Sequence, residues 1–371
     1  MIIFYYPTKD ATVYSGSTPG KLESTDVTTL NTGLDEILEV DKWLADDGAI
    51  PLIDRLSFSR VFLQFDYTSL SSSIVAGEIT NPTHSLKLFS TDTSTEIPLS
   101  YNLHVIPISS SWEMGVGKKD LNPIEKIGCT WQWRDVSGSN HWVSSGGDFI
   151  RDITPGADTI YLAATQSFEY ESNDINIDIT TAVTNQLNGN IPNHGFVIKH
   201  TDTNESSNIQ YGSSKFFSRD THTIYVPRLE VAFDDSSFET GSLNALNVSD
   251  GDISIYMRGV NSEYKQDSIE RFKVYGRRRI VSSSFSTTSN YLNVEYLPQT
   301  SYYSIKDLKT NEDVISFSNN TKISCDSNGN YFNFRMSTLQ QERMYKILYK
   351  VVSGSNVHIF DDNQFTFKVV K

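Results

Sequence analysis

The sequence predicts an all-β protein of two domains, and three observations carry that prediction. Short apolar runs alternate with polar residues at a period of two, and long Leu/Ala/Glu/Lys blocks of helical type are missing. Aromatics make up 12% of the 371 residues and charged residues only 20%, which suits a chain that packs a core and not a disordered one. The charge is also split. Residues 1–236 hold 15 Lys/Arg against 31 Asp/Glu, a net of −16, whereas residues 237–371 hold 16 against 14, a net of +2. A break of that size places a domain boundary near residue 236.

The elements follow in order. Ile2–Tyr6 and Asp10–Tyr14 read as strands, ended by a turn at Ser15–Gly20. Glu36–Val40 is a strand, and Lys42–Arg55 an acidic insertion tipped by Asp46, Asp47 and Gly48. Ser59–Tyr67 (SRVFLQFDY) sets Val61, Leu63 and Phe65 on one side and is the clearest half-buried strand. Further strands are expected at Ser85–Phe89, Ser100–Ile108, Thr159–Leu162, Gln166–Tyr170, Gly195–His200, Asn208–Tyr211 and Thr223–Phe233. Pro227 confines the last to an edge or a bulge. Asp178–Leu187 is the one expected helix: Thr180 or Thr181 caps it, Ala182, Val183 and Leu187 form its stripe, and Gly189 follows its end. Residues 237–249 are rich in Ser, Asn and Gly and read as a linker. Residues 250–371 then read as strands at Ile253–Arg258, Glu270–Tyr275, Ser283–Thr287, Tyr302–Lys306, Val314–Ser318, Tyr331–Met336, Met344–Val352 and Phe365–Val370. Hairpin turns are expected at Asn328-Gly329 and Ser353-Gly354, which together suggest a β-sandwich of the immunoglobulin-like size class.

Residues 106–149 interrupt this regularity. Four of the five tryptophans, Trp112, Trp131, Trp133 and Trp142, fall there among glycines and serines, with no helical period. The stretch reads as a long loop laid over the β-scaffold, with one short strand near Cys129–Arg134. Binding usually lives on such loops. Sugar rings stack on flat aromatic faces while Asn, Asp and His read hydroxyls, so these tryptophans with Asn140, His141 and Asp148 form a candidate glycan site. The same rings also suit anchors that pin the loop to the sheet, and that plainer reading is the favoured one. In a strand, Trp131 and Trp133 would share one face.

Several function classes are excluded or disfavoured. Net charge is −14, which opposes general nucleic-acid binding. No apolar run approaches the roughly 20 residues of a membrane span. The N-terminus carries no basic and apolar leader pattern, so no secretory signal is expected. Cys129 and Cys325 allow no disulfide framework or zinc pattern and are expected as buried thiols. The seven histidines are scattered, and no HExxH, GxSxG or phosphate loop is present, so a non-enzymatic role is expected. Asp326, Asn328 and Asn330 imitate a calcium loop, but the glycine is misplaced and Ser337 stands where the closing Glu belongs; a hairpin turn is expected there. The basic run Arg277-Arg278-Arg279 suits either a solvated strand edge or docking to an acidic neighbour, such as the first domain of another copy.

DATVY, SRVFLQFDYTSL, SLKLF, INIDITTAVTNQLNGNIPNHGFVIKH and LEVAF, in that order, resemble the DNRLRE-type, carbohydrate-binding-module-like jelly roll over roughly residues 8–234. Arg60, Phe62, Phe65, Asp66, Asp178, Thr180, Val183, Asn193, Gly195 and Phe196 occupy the matching positions. The resemblance implies a jelly-roll β-sandwich over 1–236, followed by the immunoglobulin-like one over 250–371. It also implies a structural calcium near the domain's ends, with Asp10, Glu230 and Asp234 as candidate ligands. SWEMGVGKK, GCTWQWRD, KFFSRDTHTIYVPRLEVAFDDSSF, ERFKVYGRRR and LQQERMYKILYKV resemble virion structural proteins of large contractile-tailed bacteriophages. That resemblance implies a tail, baseplate, neck or fibre component, assembled in the host cytoplasm and partnered by other virion proteins and copies of itself. A glycan-binding adhesin for host attachment is the alternative.

Overall fold

The computed structural model describes residues 1–16, 28–44, 56–91, 98, 100–119, 127–169, 174–248, 253–279, 294–362 and 364–371. The turn expected at Ser15–Gly20 beyond Gly16, the tip of the acidic insertion and the strand at Ser283–Thr287 lie outside the described residues. The protein is almost entirely β, as its alternation predicts. It divides into two compact units. One comprises Tyr5–Ala76 and Thr83–Glu230; the other comprises Val231–Lys371 together with Met1–Phe4 and Gly77–Pro82.

The first unit is built on a seven-stranded sheet. Its order is Ala164–Glu169, Ser100–Pro107, Phe196–His200, Leu56–Phe65, Ile37–Leu44 and Gly212–Phe217, with Pro7–Tyr14 also paired to Leu56–Phe65. A second layer pairs Thr83–Leu88 with Ile175–Asp178 in antiparallel register. Leu56–Phe65 is central, and Val61, Phe62, Leu63 and Phe65 are all buried. The strand expected to be half-buried is therefore covered on both faces. Val61, Leu63 and Phe65 point one way, and Phe62 points the other way with Ala11, Val197 and Ile106, its register neighbours.

The helix Thr180–Leu187 forms within the expected Asp178–Leu187 and buries Ala182 and Val183, but neither Thr180 nor Thr181 caps it: Ile179 is its N-cap, and Asp178 accepts the Thr180 N–H at 2.8 Å. Two helices were not legible. Thr68–Val75 starts where Asp66 accepts the Thr68 backbone N–H at 2.9 Å. Asp202–Ser206 starts where the Thr201 hydroxyl accepts from the Asn204 N–H at 3.1 Å. The strand expected at Asn208–Tyr211 forms instead at Gly212–Phe217, and the long strand ending at Phe233 is confined to Arg228–Ala232, after Pro227.

The second unit is a sandwich of two six-stranded sheets. Tyr303 and Phe332, from opposite sheets, stack with ring centroids 4.1 Å apart, and Phe272, Phe334, Tyr349 and Phe367 fill the same core. The hairpins turn at Asn328-Gly329 and after Ser353, as their residues predict. The Asp326 carboxylate accepts the Asn328 N–H at 2.8 Å, which is a turn contact and not a calcium loop. Residues expected as a linker are built into this sandwich. The Glu239 N–H reaches the Cys325 carbonyl at 2.9 Å, Asn244–Ala245 pairs with Glu295–Tyr296, and Leu246 and Val248 are buried. Cys129 and Cys325 are buried free thiols.

Candidate binding site in the tryptophan-rich loop

The outer face of the seven-stranded sheet has an apolar half and a cationic half, and each has its own cover. Ala11, Val13, Phe62, Ile106, Ile108 and Val197 form the apolar half, and Trp112, Cys129 and Trp142 from the loop pack onto them. Trp112 is 1% exposed and Trp142 5%. Both indoles also donate: Trp112 Nε1 to the His194 carbonyl at 2.8 Å, and Trp142 Nε1 to the Thr130 carbonyl at 3.0 Å. These two rings are anchors, which corrects their candidacy as sugar platforms: a buried indole face has no room for a pyranose.

Lys42, Arg60 and Lys199 form the cationic half, and the short helix Asp202–Ser206 covers it. Glu205 receives Arg60 through two bonds, at 3.0 and 2.8 Å, and Lys199 at 2.7 Å. Lys42 donates to the Asn204 and Ser207 carbonyls at the helix's C-terminal end, where the dipole favours a cation. Arg60 joins the two halves. Its guanidinium donates to the Gly146 carbonyl at 2.8 Å and lies 4.7 Å from the centre of the Trp131 ring. Gly146, at φ +84°, lies so close that a Cβ there would sit 2.5 Å from that ring.

Polar clamps complete the loop. Asn31, fully buried, donates to the Met114 and Cys129 carbonyls at 2.7 and 2.9 Å and accepts the Gly117 N–H at 2.8 Å. Asp148 accepts from Ser110 Oγ and from the Val143 and Ser144 N–H groups at 2.9 to 3.2 Å, so it closes the loop and is not aimed at a ligand. What remains outward is a two-stranded ribbon, Trp133–Asp135 paired with Asn140–His141. Trp133 stacks on His141 with centroids 3.4 Å apart, and Val143 beside them is 92% exposed. The ribbon begins at Trp133, so strand alternation does not place Trp131 beside it. Trp131 instead meets Phe58 edge-on at 5.2 Å. Of the candidate glycan residues, the structure brings Trp133, Asn140 and His141 together and spends Trp112, Trp131, Trp142 and Asp148 on the loop itself.

The candidate calcium ligands are not gathered. Asp10 accepts the Arg219 N–H at 2.7 Å, Glu230 pairs with Lys87 at 2.7 Å, and Asp234 accepts from Ser236 and faces Lys322. Among the described residues no group of three or more His, Cys, Asp or Glu side chains could hold a metal ion. Each expected ligand already has a hydrogen-bond donor or a cation of its own.

A carboxylate pair was missed. Glu39 and Asp41 stand two apart in Ile37–Leu44 and so share a face; Glu-Val-Asp in a strand is the signal that finds them. Burial pushes Glu39 up, but Lys119 and the Tyr14 hydroxyl bring it below the usual value. Burial and the Glu39 charge push Asp41 up to about 7. The stabilising effect of neutral Asp41 is therefore present below the unfolded value near 3.8 and is lost as pH rises through about 7. Asp41→Asn is expected to raise stability at about pH 8 by roughly 2 to 4 kcal/mol and to leave it unchanged at about pH 4. Urea unfolding at both pH values checks this; a loss of stability at about pH 8 means that Asp41 is needed as a charge.

Arg277, Arg278 and Arg279 are all exposed. Arg277 lies on the outer face of its sheet, whereas Arg278 pairs with Ile253, which is buried. Among the described residues no helix is long and apolar enough to cross a membrane. No family model matches the chain, and neither does any curated protein.

Proposed function

We propose that this chain is a non-enzymatic structural component of a multiprotein particle, of the tailed-phage virion kind that its sequence resembles, and that it acts through protein–protein contacts in a tail, baseplate, neck or fibre. One observation carries the reading. The tryptophan-rich excursion is clamped at both ends and in its middle, and it holds a short ribbon outward with Trp133, His141 and Val143 at its surface. A preorganised apolar and aromatic projection binds a protein surface with little ordering cost. Cryo-electron microscopy of particles from the source, locating this chain, tests the reading. The ribbon is expected against a neighbouring subunit; a chain absent from the particle overturns the proposal.

A glycan-binding adhesin is the second reading, favoured by the half-buried Trp133 ring beside Asn140 and His141. If it holds, Trp133→Ala abolishes binding on a glycan array while the protein stays folded. Unchanged array signals, or none with the unaltered chain, remove it.

A further inference from the structure

The second unit carries a cationic and aromatic face that no single stretch of sequence displays. Ile269–Arg278 is the middle strand, with Ile253–Arg258 on one side and Gly329–Arg335 on the other. Register sets Arg258 beside Lys273 and Tyr331, Tyr256 beside Tyr275, and Arg277 beside Ser254, all on one face. Tyr256 and Tyr275 stack at 5.4 Å. Arg258 lies over both rings, 4.9 Å from Tyr275 and 5.6 Å from Tyr256, and Arg277 lies 5.7 Å from Tyr256. Arg271 lies 3.5 Å over Tyr331. Gly329, at φ +127°, leaves space for the Tyr275 ring, which a Cβ would meet at 2.9 Å.

Arg258, Arg271, Lys273 and Arg277 are exposed, and among the described residues only Arg271 has an ion-pair partner, Asp326. The rings are covered by guanidiniums, so they offer no open faces for sugar stacking. Instead the rings hold the exposed guanidiniums beside them. A guanidinium fixed in this way is preorganised for carboxylates and loses less side-chain freedom on binding than a free one.

We infer that this face docks a carboxylate-rich surface of residues 1–236 of a second copy of the chain. The charge split argues for that occupant: residues 1–236 carry a net of −16, against +2 for the remainder. The inference rests on the particle-component reading and names one of its contacts. Made once per pair of copies, the contact is heterologous and builds rings or filaments; made reciprocally, it closes a two-fold dimer.

Sedimentation of the full chain tests it. Association is expected at about 50 mM salt and its loss at about 500 mM, where charges are screened beyond a few ångströms. Arg258→Ser with Arg277→Ser is expected to weaken the low-salt association at least about tenfold, while Lys309→Ser, an exposed cation off this face, leaves it unchanged. Urea midpoints show that the variants fold, and the salt series on the unaltered chain decides the matter if they do not. A monomer at low salt, or association indifferent to both salt and the double substitution, overturns the inference. So does salt-sensitive retention on an immobilised anionic polysaccharide without self-association. A monomer in solution that is still located in a particle removes this contact alone and leaves the proposed function standing.

Discussion

Replacing Glu205 by alanine is expected to destabilise the first unit by about 3 to 5 kcal/mol. The carboxylate is 7% exposed and neutralises Lys199, 1% exposed, and Arg60, 11% exposed. Removing it leaves Arg60 desolvated against a sheet face without a counter-charge, and Lys199 with only the exposed Asp202. Little solvent reaches those cations to screen them, which separates this cluster from an ordinary surface pair. Asp202 also touches Lys199, but it is 62% exposed, and Asp202→Ala is expected to cost less than about 1 kcal/mol. Glu205→Gln keeps the volume and loses the charge, so most of the loss is expected to remain. Urea unfolding of the three variants gives the ranking. A Glu205→Ala cost no larger than that of Asp202→Ala would show that the cluster is hydrated and that the short helix does not seal it.

Trp112→Ala is expected to cost about 3 to 5 kcal/mol as well, through the transfer and cavity terms of a buried indole. Its ring lies 5.6 Å from Phe62 and its N–H is spent on the His194 carbonyl. The loss should also loosen the loop, read as faster amide exchange at Cys129 and Trp142, whose neighbours it removes. Trp133→Ala is expected to stay below about 1 kcal/mol, because that ring packs on His141 at the surface and not on the core. The reverse ranking would mean that the ribbon holds the loop and that Trp112 does not.

Legibility followed locality. Most strands, the Thr180–Leu187 helix and both hairpin turns depend on residues within a few positions of each other and were readable; the strand at Gly212–Phe217, expected at Asn208–Tyr211, was not. The missed helices each start at a single local bond, Asp66 to the Thr68 N–H and the Thr201 cap to the Asn204 N–H, in segments where propensity is weak. The second burial of Leu56–Phe65 was hidden for another reason. Its outer side is covered by the Trp112–Trp142 loop and by Glu205, far away in sequence, and alternation within a strand cannot report what lies over a face. Glu39 and Asp41 were readable in principle, since a two-residue spacing in a strand puts both carboxylates on one side.

By itself the sequence determined the all-β class, the split of charge between its parts, and the presence of an aromatic loop and a basic segment. Tertiary structure alone decided which tryptophans face inward, that the expected calcium ligands are each engaged separately, and that Arg277 joins Arg258, Arg271 and Lys273 over three tyrosines. The physical reason is common to all three. Composition and period depend on the covalent order of residues, whereas burial and charge pairing depend on which strand becomes a neighbour, and register across a sheet joins residues that the chain keeps apart.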